Sequence, residues 1–397
     1  MRITIANQFY HPYHEGGAEK SVQFLAETLK DRGNEVTVVT TTCDGAENSV
    51  DLNGVTIKYY NQPNICNSHP VRPTGVKKLI WHLLDAYNPT GHAFWTRILK
   101  ETRPDVLHTN MLGGLSCAAW SAASALGIPV VHTLRDYHLL CPKNSMFKDG
   151  KDCVTPCARC QVFAAPKKWL SKKVQVAVGN SRKTLDRHLE NGFFPNAEPR
   201  VIHNMFSPSA GSRKAPSTGA SGPILLGYFG AINEKKGFGL LLQCLAAQPK
   251  GKFRLLVGGK MRDDMSPEWK SWADTVQPEF LGWTTPRDFF GKIDCLVAPA
   301  IWQEPLPRVI IESINFGVPV VATDVGGQAE LIVDGVNGVL VKNATPAELG
   351  DALLALDRPT IERLAAGCEL SDSMFLPELI SGQYIDAYQR ARELMTR

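Results

Sequence analysis

Short runs rich in β-branched residues alternate with longer stretches of helical period along almost the whole chain. This alternation limits the fold more than any other feature. "RITIA", "EVTVVTT", "VTIKYY", "DVLHTN", "PVVHTL", "VQVAVGN" and "RVIHN" read as strands in the first half. "PILLGYFG", "KFRLLVGG", "PEFLGW", "DCLVAPA", "PVVATDV" and "GVLVKN" read as strands in the second. Between the runs lie helices such as "AEKSVQFLAETLKDRG", where Val22, Leu25, Ala26 and Leu29 share one face and Gly33 supplies the stop. Strands apolar on both faces, each followed by a helix, predict parallel sheets covered on both sides.

At 397 residues the chain can bury two such cores. The stretch "SPSAGSRKAPSTGASGP", residues 207–223, holds too little apolar surface to order itself and reads as a linker. The sequence therefore predicts an α/β protein: a first domain over 1–206, a linker over 207–223, a second domain over 224–375, and a terminal helix over 376–397 free to pack back on the first domain. A formal charge of +4, with no block of one sign, argues against a nucleic-acid partner. No apolar run approaches the ~18 residues of a membrane span. "MRITIANQFY" enters a strand directly, without the apolar core of a signal peptide, which favours a cytoplasmic protein.

In open parallel sheets ligands bind beyond the carboxyl ends of the strands. This directs attention to "GAINEKKGFGLLL" and to "EPLPRVIIESINFGVPVV". In the first, Lys235 and Lys236 precede a helix start. There a lysine suits a phosphate, although taken alone these residues read more simply as a solvated charge pair. In the second, Pro305 and Pro307 suit a loop entering a helix. Ile310, Ile311 and Ile314 would then face the core and Gly317 would end the helix. Glu304 stays in the loop and Glu312 lies along the helix, so both can face one crevice, where carboxylates accept hydrogen bonds from vicinal sugar hydroxyls. The plainer alternative leaves Glu304 exposed and Glu312 paired locally.

Taken together, "EPLPRVIIESINFGVPVVATDVGGQAELIVDGVNGVLV" resembles the donor-site signature of family-four retaining glycosyltransferases of the GT-B fold: two glutamates separated by seven residues, a GVPVVA strand, a GG turn and a DGVNG turn. "GGAEKSVQFLAETLKDRGNEVTVVTT", "PDVLHTN", "VGNSRKTLDRHLENGF", "VIHN", "KKG" and "EFLGW" extend the resemblance over nearly the whole chain. It implies two Rossmann-like, doubly wound domains facing each other across a crevice. It also implies transfer of a hexose from a UDP- or GDP-linked sugar to a glycan or lipid-linked glycan, in polysaccharide or glycolipid synthesis and without a catalytic metal. By resemblance, Glu312 would hold the donor ribose, Glu304 the transferred sugar and Lys236 the diphosphate, with the loop at Leu281 meeting the base. Leu306 and Arg308 would complete the donor set. Gly16 and Gly17 would let the backbone approach phosphates or acceptor, and Arg135 and Asp136 would occupy catalytic positions of the acceptor domain.

Three departures stand out. Ala231 replaces the family's usual arginine, Pro307 a common glycine, and Arg135 a frequent histidine, while Asp136 is retained. Arg308 is expected to supply the cation absent at Ala231. Arg135 either binds an anion or pairs with Asp136. The alternatives on the same architecture are a nucleotide-sugar epimerase or hydrolase and a degenerate, donor-binding partner subunit. A nicotinamide dehydrogenase is disfavoured, since no G-x-G-x-x-G joins a strand to a helix.

Two further segments carry expectations. Cys141, Cys153, Cys157 and Cys160, spaced C-x11-C-x3-C-x2-C, suit a structural zinc that would staple a loop poor in apolar residues. Four reduced thiols or an iron–sulfur cluster are the alternatives. "PKKWLSKKVQ", residues 166–175, sets four lysines around Trp169 and Leu170 and suits peripheral docking at the inner membrane face. A solvated surface helix with Trp169 turned inward is the plainer reading of so few residues.

Overall fold

The computed structural model describes residues 1–13, 16–65, 73–206, 222–261 and 265–396. The chain divides into two units. The first comprises Met1–Met146, Cys153–Met205 and Pro377–Arg397; the second comprises Phe147–Asp152 and Phe206–Leu376.

The first unit is built on β1 (Arg2–Ala6), β2 (Glu35–Thr41), β3 (Asn48–Leu52), β4 (Val55–Tyr60), β5 (Val106–Thr109) and β6 (Val130–Leu134). A two-residue hairpin, β7 (Phe147–Lys148) and β8 (Lys151–Asp152), groups with the second unit. β9 (Val176–Gly179) and β10 (Glu198–Val201) complete the first sheet, in the order β10-β9-β6-β5-β1-β2-β4-β3. Every pairing in it is parallel except β3 with β4. The antiparallel strand β3 is an exposed edge, "NSVDL", without the apolar run that marks its neighbours.

Burial explains the first core. Ile3, Ile5, Val36, Val38, Val106 and Val131 pack with Val22, Leu25, Ala26 and Leu29, the face expected of the helix Gly17–Asp31. Tyr384 and Tyr388, from the terminal helix Pro377–Met395, join the same cluster.

The second unit holds β11 (Ile224–Phe229), β12 (Phe253–Gly258), β13 (Glu279–Gly282), β14 (Cys295–Ala298), β15 (Val320–Thr323) and β16 (Gly338–Val341). Their order is β13-β12-β11-β14-β15-β16, all parallel. Renumbered along this sheet it is 3-2-1-4-5-6, the doubly wound order. A core lies on each face, one around Leu226, Phe238 and Leu241, the other around Phe289, Ile310 and Ile314.

Polar groups under the first sheet set a pH dependence. His108, His132 and His188 are buried. Burial holds the first two well below the ordinary histidine range and His188 at about 4. The His188 ring lies parallel to Tyr137, and its Nδ1 donates to the Thr184 carbonyl at 2.8 Å. A proton added at Nε2 would find no partner among the described residues. Between pH 6.5 and 4 the unfolded chain takes up protons that the native histidines refuse, so stability falls as the pH falls. His188 alone accounts for roughly 3 kcal/mol over that range. The urea midpoint at pH 4.5 is expected well below that at pH 7.5, and equal midpoints would contradict the assignment.

Candidate active site

The strand order of the second sheet reverses between β11 and β14, so the loops after these two strands part and leave room beyond their carboxyl ends. Gly237 ends the first loop as the N-cap of the helix Phe238–Ala246, with φ of +71°. A Cβ there would lie 1.7 Å from the Pro299 carbonyl oxygen, so the loop's backbone rests directly on the segment after β14. The Ile301 N–H donates to the Lys235 carbonyl at 2.9 Å and closes the contact. Held this way, Lys236 forms an ion pair with Glu304. The Lys235 and Lys236 ammonium groups each stand 5.9 Å from the Trp302 ring centre, and Lys235 is as far from Phe147.

Glu304 is fixed through its main chain as well. Gly326, in the turn after β15, has φ of +60°, and a Cβ on it would come within 2.2 Å of the Glu304 carbonyl oxygen. The Gly327 N–H donates to that oxygen at 2.7 Å, and the Gly326 N–H to Gln303 Oε1 at 3.0 Å. The Gln303 N–H and Nε2 donate to the Asp152 carboxylate at 3.2 and 3.0 Å, which braces the loop with the hairpin β7–β8.

The following helix, Arg308–Asn315, begins after Pro307 and ends before Gly317 in left-handed conformation. Ile310, Ile311 and Ile314 are buried on one side as expected. On another, Arg308 Nη2 meets Glu312 Oε1 at 3.2 Å, with both side chains 12% exposed. Leu306 turns its side chain into the core, so only its main chain is left for a ligand. Leu281 is partly buried against the same cluster. The carbonyl of Ala231 accepts the Tyr228 hydroxyl at 2.8 Å.

The remaining expected residues belong to the first unit. Gly16 is the N-cap of the helix that opens with Gly17, and its N–H donates at 3.0 Å to the buried Glu19 carboxylate. Arg135 is buried and donates to Asn110 Oδ1 at 2.8 Å and Asn204 Oδ1 at 2.6 Å. The Asp136 carboxylate accepts the His138 N–H at 2.9 Å, and burial raises its pKa.

Two expectations need correction. Among the described residues no group of three or more His, Cys, Asp or Glu side chains stands ready to hold a metal ion, so zinc at Cys141, Cys153, Cys157 and Cys160 finds no support. Cys157 Sγ and Cys160 Sγ meet at 3.5 Å, and burial together with the neighbouring Cys157 and Cys141 pushes the Cys160 thiol up to about 12. The basic patch is smaller than its sequence suggests. Trp169 is 61% exposed, but Leu170 and Lys167 are buried, the latter against Asp85. Sequence reasoning also passed over Gln303, Trp302 and Asp152. Only Trp302 carried a signal, as an aromatic directly before the glutamate loop.

The two halves of the chain match two family models, "Glycosyltransferase Family 4" over residues 15–209 and "Glycosyl transferases group 1" over 223–358. A 42.6 kDa protein in the cps region of Klebsiella pneumoniae is 36% identical over 83% of this chain and 87% of its own. A D-inositol 3-phosphate glycosyltransferase of Xylanimonas cellulosilytica is 27% identical over 95% and 92%. Anabaena HepE, crystallised in complex with UDP, superposes with a TM-score of 0.72 at 20% identity, covering 98% of this chain and all of that one.

Two doubly wound sheets and the superposition on HepE define the fold as GT-B. The chain belongs to the group 1, family 4 glycosyltransferases.

Replacing Gly237 by alanine sets a Cβ against the Pro299 carbonyl in a left-handed backbone. The variant is expected to lose at least about 2 kcal/mol of stability and to melt several degrees lower by circular dichroism. Gly335→Ala, with positive φ but nothing within 4 Å of its Cβ, should lose less.

Proposed function

We propose that the chain is a retaining hexosyltransferase that uses a UDP-linked sugar and extends a glycan, lipid-linked in the cell, during surface polysaccharide assembly. The observation that carries this reading is the Lys236–Glu304 pair at the switch point of the second sheet, with Glu312 on the helix that follows. The Lys236 ammonium stabilises a diphosphate leaving group, and Glu304, relieved of part of that cation, accepts hydroxyls of the transferred hexose. Glu312 has two carboxylate oxygens for the vicinal hydroxyls of a ribose, and Arg308 orients them. The main chain around Leu281 and Leu306 serves base and phosphate contacts. Gly16 and Gly17 serve close approach of a ligand to the first unit.

Supporting UDP ahead of GDP, HepE has been crystallised with UDP-glucose as well as with UDP. A lipopolysaccharide core glycosyltransferase of Rhizobium meliloti, 32% identical over 39% of this chain, supports a glycan acceptor, as does the cps-region setting of the Klebsiella relative. Among the described residues no helix is long and apolar enough to cross a membrane, so a lipid-linked acceptor is met at the surface, where Trp169 offers an exposed ring.

Calorimetric titration with UDP and GDP tests the reading. UDP is expected to bind the wild type, and Glu312→Ala to bind it at least about tenfold more weakly, since charge-assisted hydrogen bonds are lost. Glu304→Ala should keep UDP affinity within a few-fold and lower kcat by about 100-fold or more. Turnover should survive EDTA, and proton NMR of the product should show the donor's anomeric configuration. Absence of binding of either nucleotide to the wild type would sink the donor assignment, and an inverted anomer the retaining mechanism.

A further inference from the structure

One stretch of the second unit comes from far upstream in the chain, the hairpin of β7 and β8. In "FKDGKD", residues 147–152, Asp149 and Gly150 have φ of +51° and +72°, the left-handed pair of a two-residue hairpin turn. Phe147 pairs with Asp152, and Lys148 with Lys151. Side chains directly opposite each other share a face of such a ribbon, so Phe147 and Asp152 lie on one face and the two lysines on the other. The lysines are exposed, whereas Phe147 is buried. A two-stranded ribbon is marginal in water at best, and the contacts of its inner face hold it.

Those contacts reach both loops of the candidate site. The Phe147 ring centre is 5.9 Å from the Lys235 ammonium, and a Cβ on Gly150 would come within 3.3 Å of Glu234 Oε1, both in the loop after β11. In the loop after β14, the Gln303 N–H and Nε2 donate to Asp152 at 3.2 and 3.0 Å. A carboxylate only accepts hydrogen bonds, so it decides which end of the Gln303 amide faces it. Nε2 must turn to Asp152, which leaves Oε1 for the Gly326 N–H, 3.0 Å away in the turn after β15. Glu304 follows Gln303 directly, and its own carbonyl accepts the Gly327 N–H at 2.7 Å. A relay of hydrogen bonds thus runs from the hairpin through Gln303 to the turn that clasps Glu304.

We propose that Asp152 is a positioning residue of the donor site, acting through Gln303 to hold Glu304 on the transferred sugar once the diphosphate draws Lys236 away. The proposal rests on the donor reading of Glu304 given above. With Lys236 at the diphosphate, Glu304 loses its ion pair, and its place is set by its main chain and by its neighbours. A carboxylate that must tell one hydroxyl arrangement from another needs this support, since a displacement of about 1 Å loses the contact. Cover of the loops would require Phe147 alone, whereas two hydrogen bonds to one carboxylate add direction. The hairpin therefore serves recognition of the sugar and leaves the nucleotide to Glu312 on the next helix.

The test titrates UDP, UDP-glucose, UDP-galactose and UDP-N-acetylglucosamine calorimetrically into the full chain and its variants. The wild type is expected to hold its best UDP-sugar at least about tenfold more tightly than its worst. Asp152→Ala should bring the three sugars to within about threefold of one another, as Glu304→Ala does, and keep UDP affinity within about twofold. Gln303→Glu sets two carboxylates together and should flatten the preference likewise. The double variant Asp152→Asn with Gln303→Glu reverses the polarity of the pair, an amide now donating to a carboxylate, keeps every hydrogen bond of the relay and should regain the preference. Lys148→Ala, on the outer face, should match the wild type. A preference that vanishes in Glu304→Ala but persists in Asp152→Ala overturns this inference alone. So does a double variant that stays flat, or a loss of UDP affinity in Asp152→Ala equal to the loss of sugar affinity, as a merely structural hairpin would give. A wild type that treats the three sugars alike, or a preference that survives Glu304→Ala, sinks the reading of Glu304 and this inference with it.

Discussion

The Lys236–Glu304 pair of the second sheet depends on a contact between two stretches of main chain. Gly237 lies against the Pro299 carbonyl with no room for a side chain, and the Lys235 carbonyl accepts the Ile301 N–H. Only with these loops in register can the short tether of Lys236 reach Glu304. The turn at Gly326 and Gly327 repeats the device from the other side. A rigid cradle of this kind pre-orders charge before a ligand arrives, and so reduces the reorganisation left for the reaction itself.

The first unit solves a different problem, that of polar side chains inside a parallel sheet. His108 on β5 lies between Thr133 Oγ1 and Tyr388 Oη, each at 2.8 Å, and Thr109 lies 2.8 Å from His132 Nδ1. A neutral imidazole offers one donor and one acceptor, and at His108 these partners take up both ring nitrogens without an ion. The terminal helix therefore contributes hydrogen bonds as well as apolar area to the sheet it covers, with Tyr384 also 3.3 Å from Thr133. Dry, satisfied networks of this sort rigidify a core.

Much of this was legible in the sequence, because apolar periodicity is a local signal. Every strand of the second sheet falls within an expected run, and Ile310, Ile311 and Ile314 face inward as their spacing requires. The edge strand β3 escaped because four of its five residues are exposed, and the hairpin β7–β8 because two-residue strands have no period. Lys236, Glu304, Arg308 and Glu312 were legible as a set of charges. Their pairing was not, since it depends on where separate loops come to rest. Nor could the sequence tell that Arg135 meets Asn110 and Asn204, which come from distant segments. Lys167 looked like one of four surface lysines, and only the fold reveals Asp85 opposite it.

The hairpin Phe147–Asp152 has a consequence for how such a chain can be divided or recombined. Together with the helix that begins at Pro377, it makes the polypeptide change units four times, after residues 146, 152, 205 and 376. A cut within 207–223 thus leaves neither half self-sufficient. The amino-terminal fragment would lack the tyrosines that fill its own core, and the carboxy-terminal one the aspartate that braces its glutamate loop. Gene fragments exchanged at that junction would have to match at the tail and at a six-residue excursion far upstream. Parts from unrelated donors would meet that condition rarely, so the chain is inherited most easily as a single block.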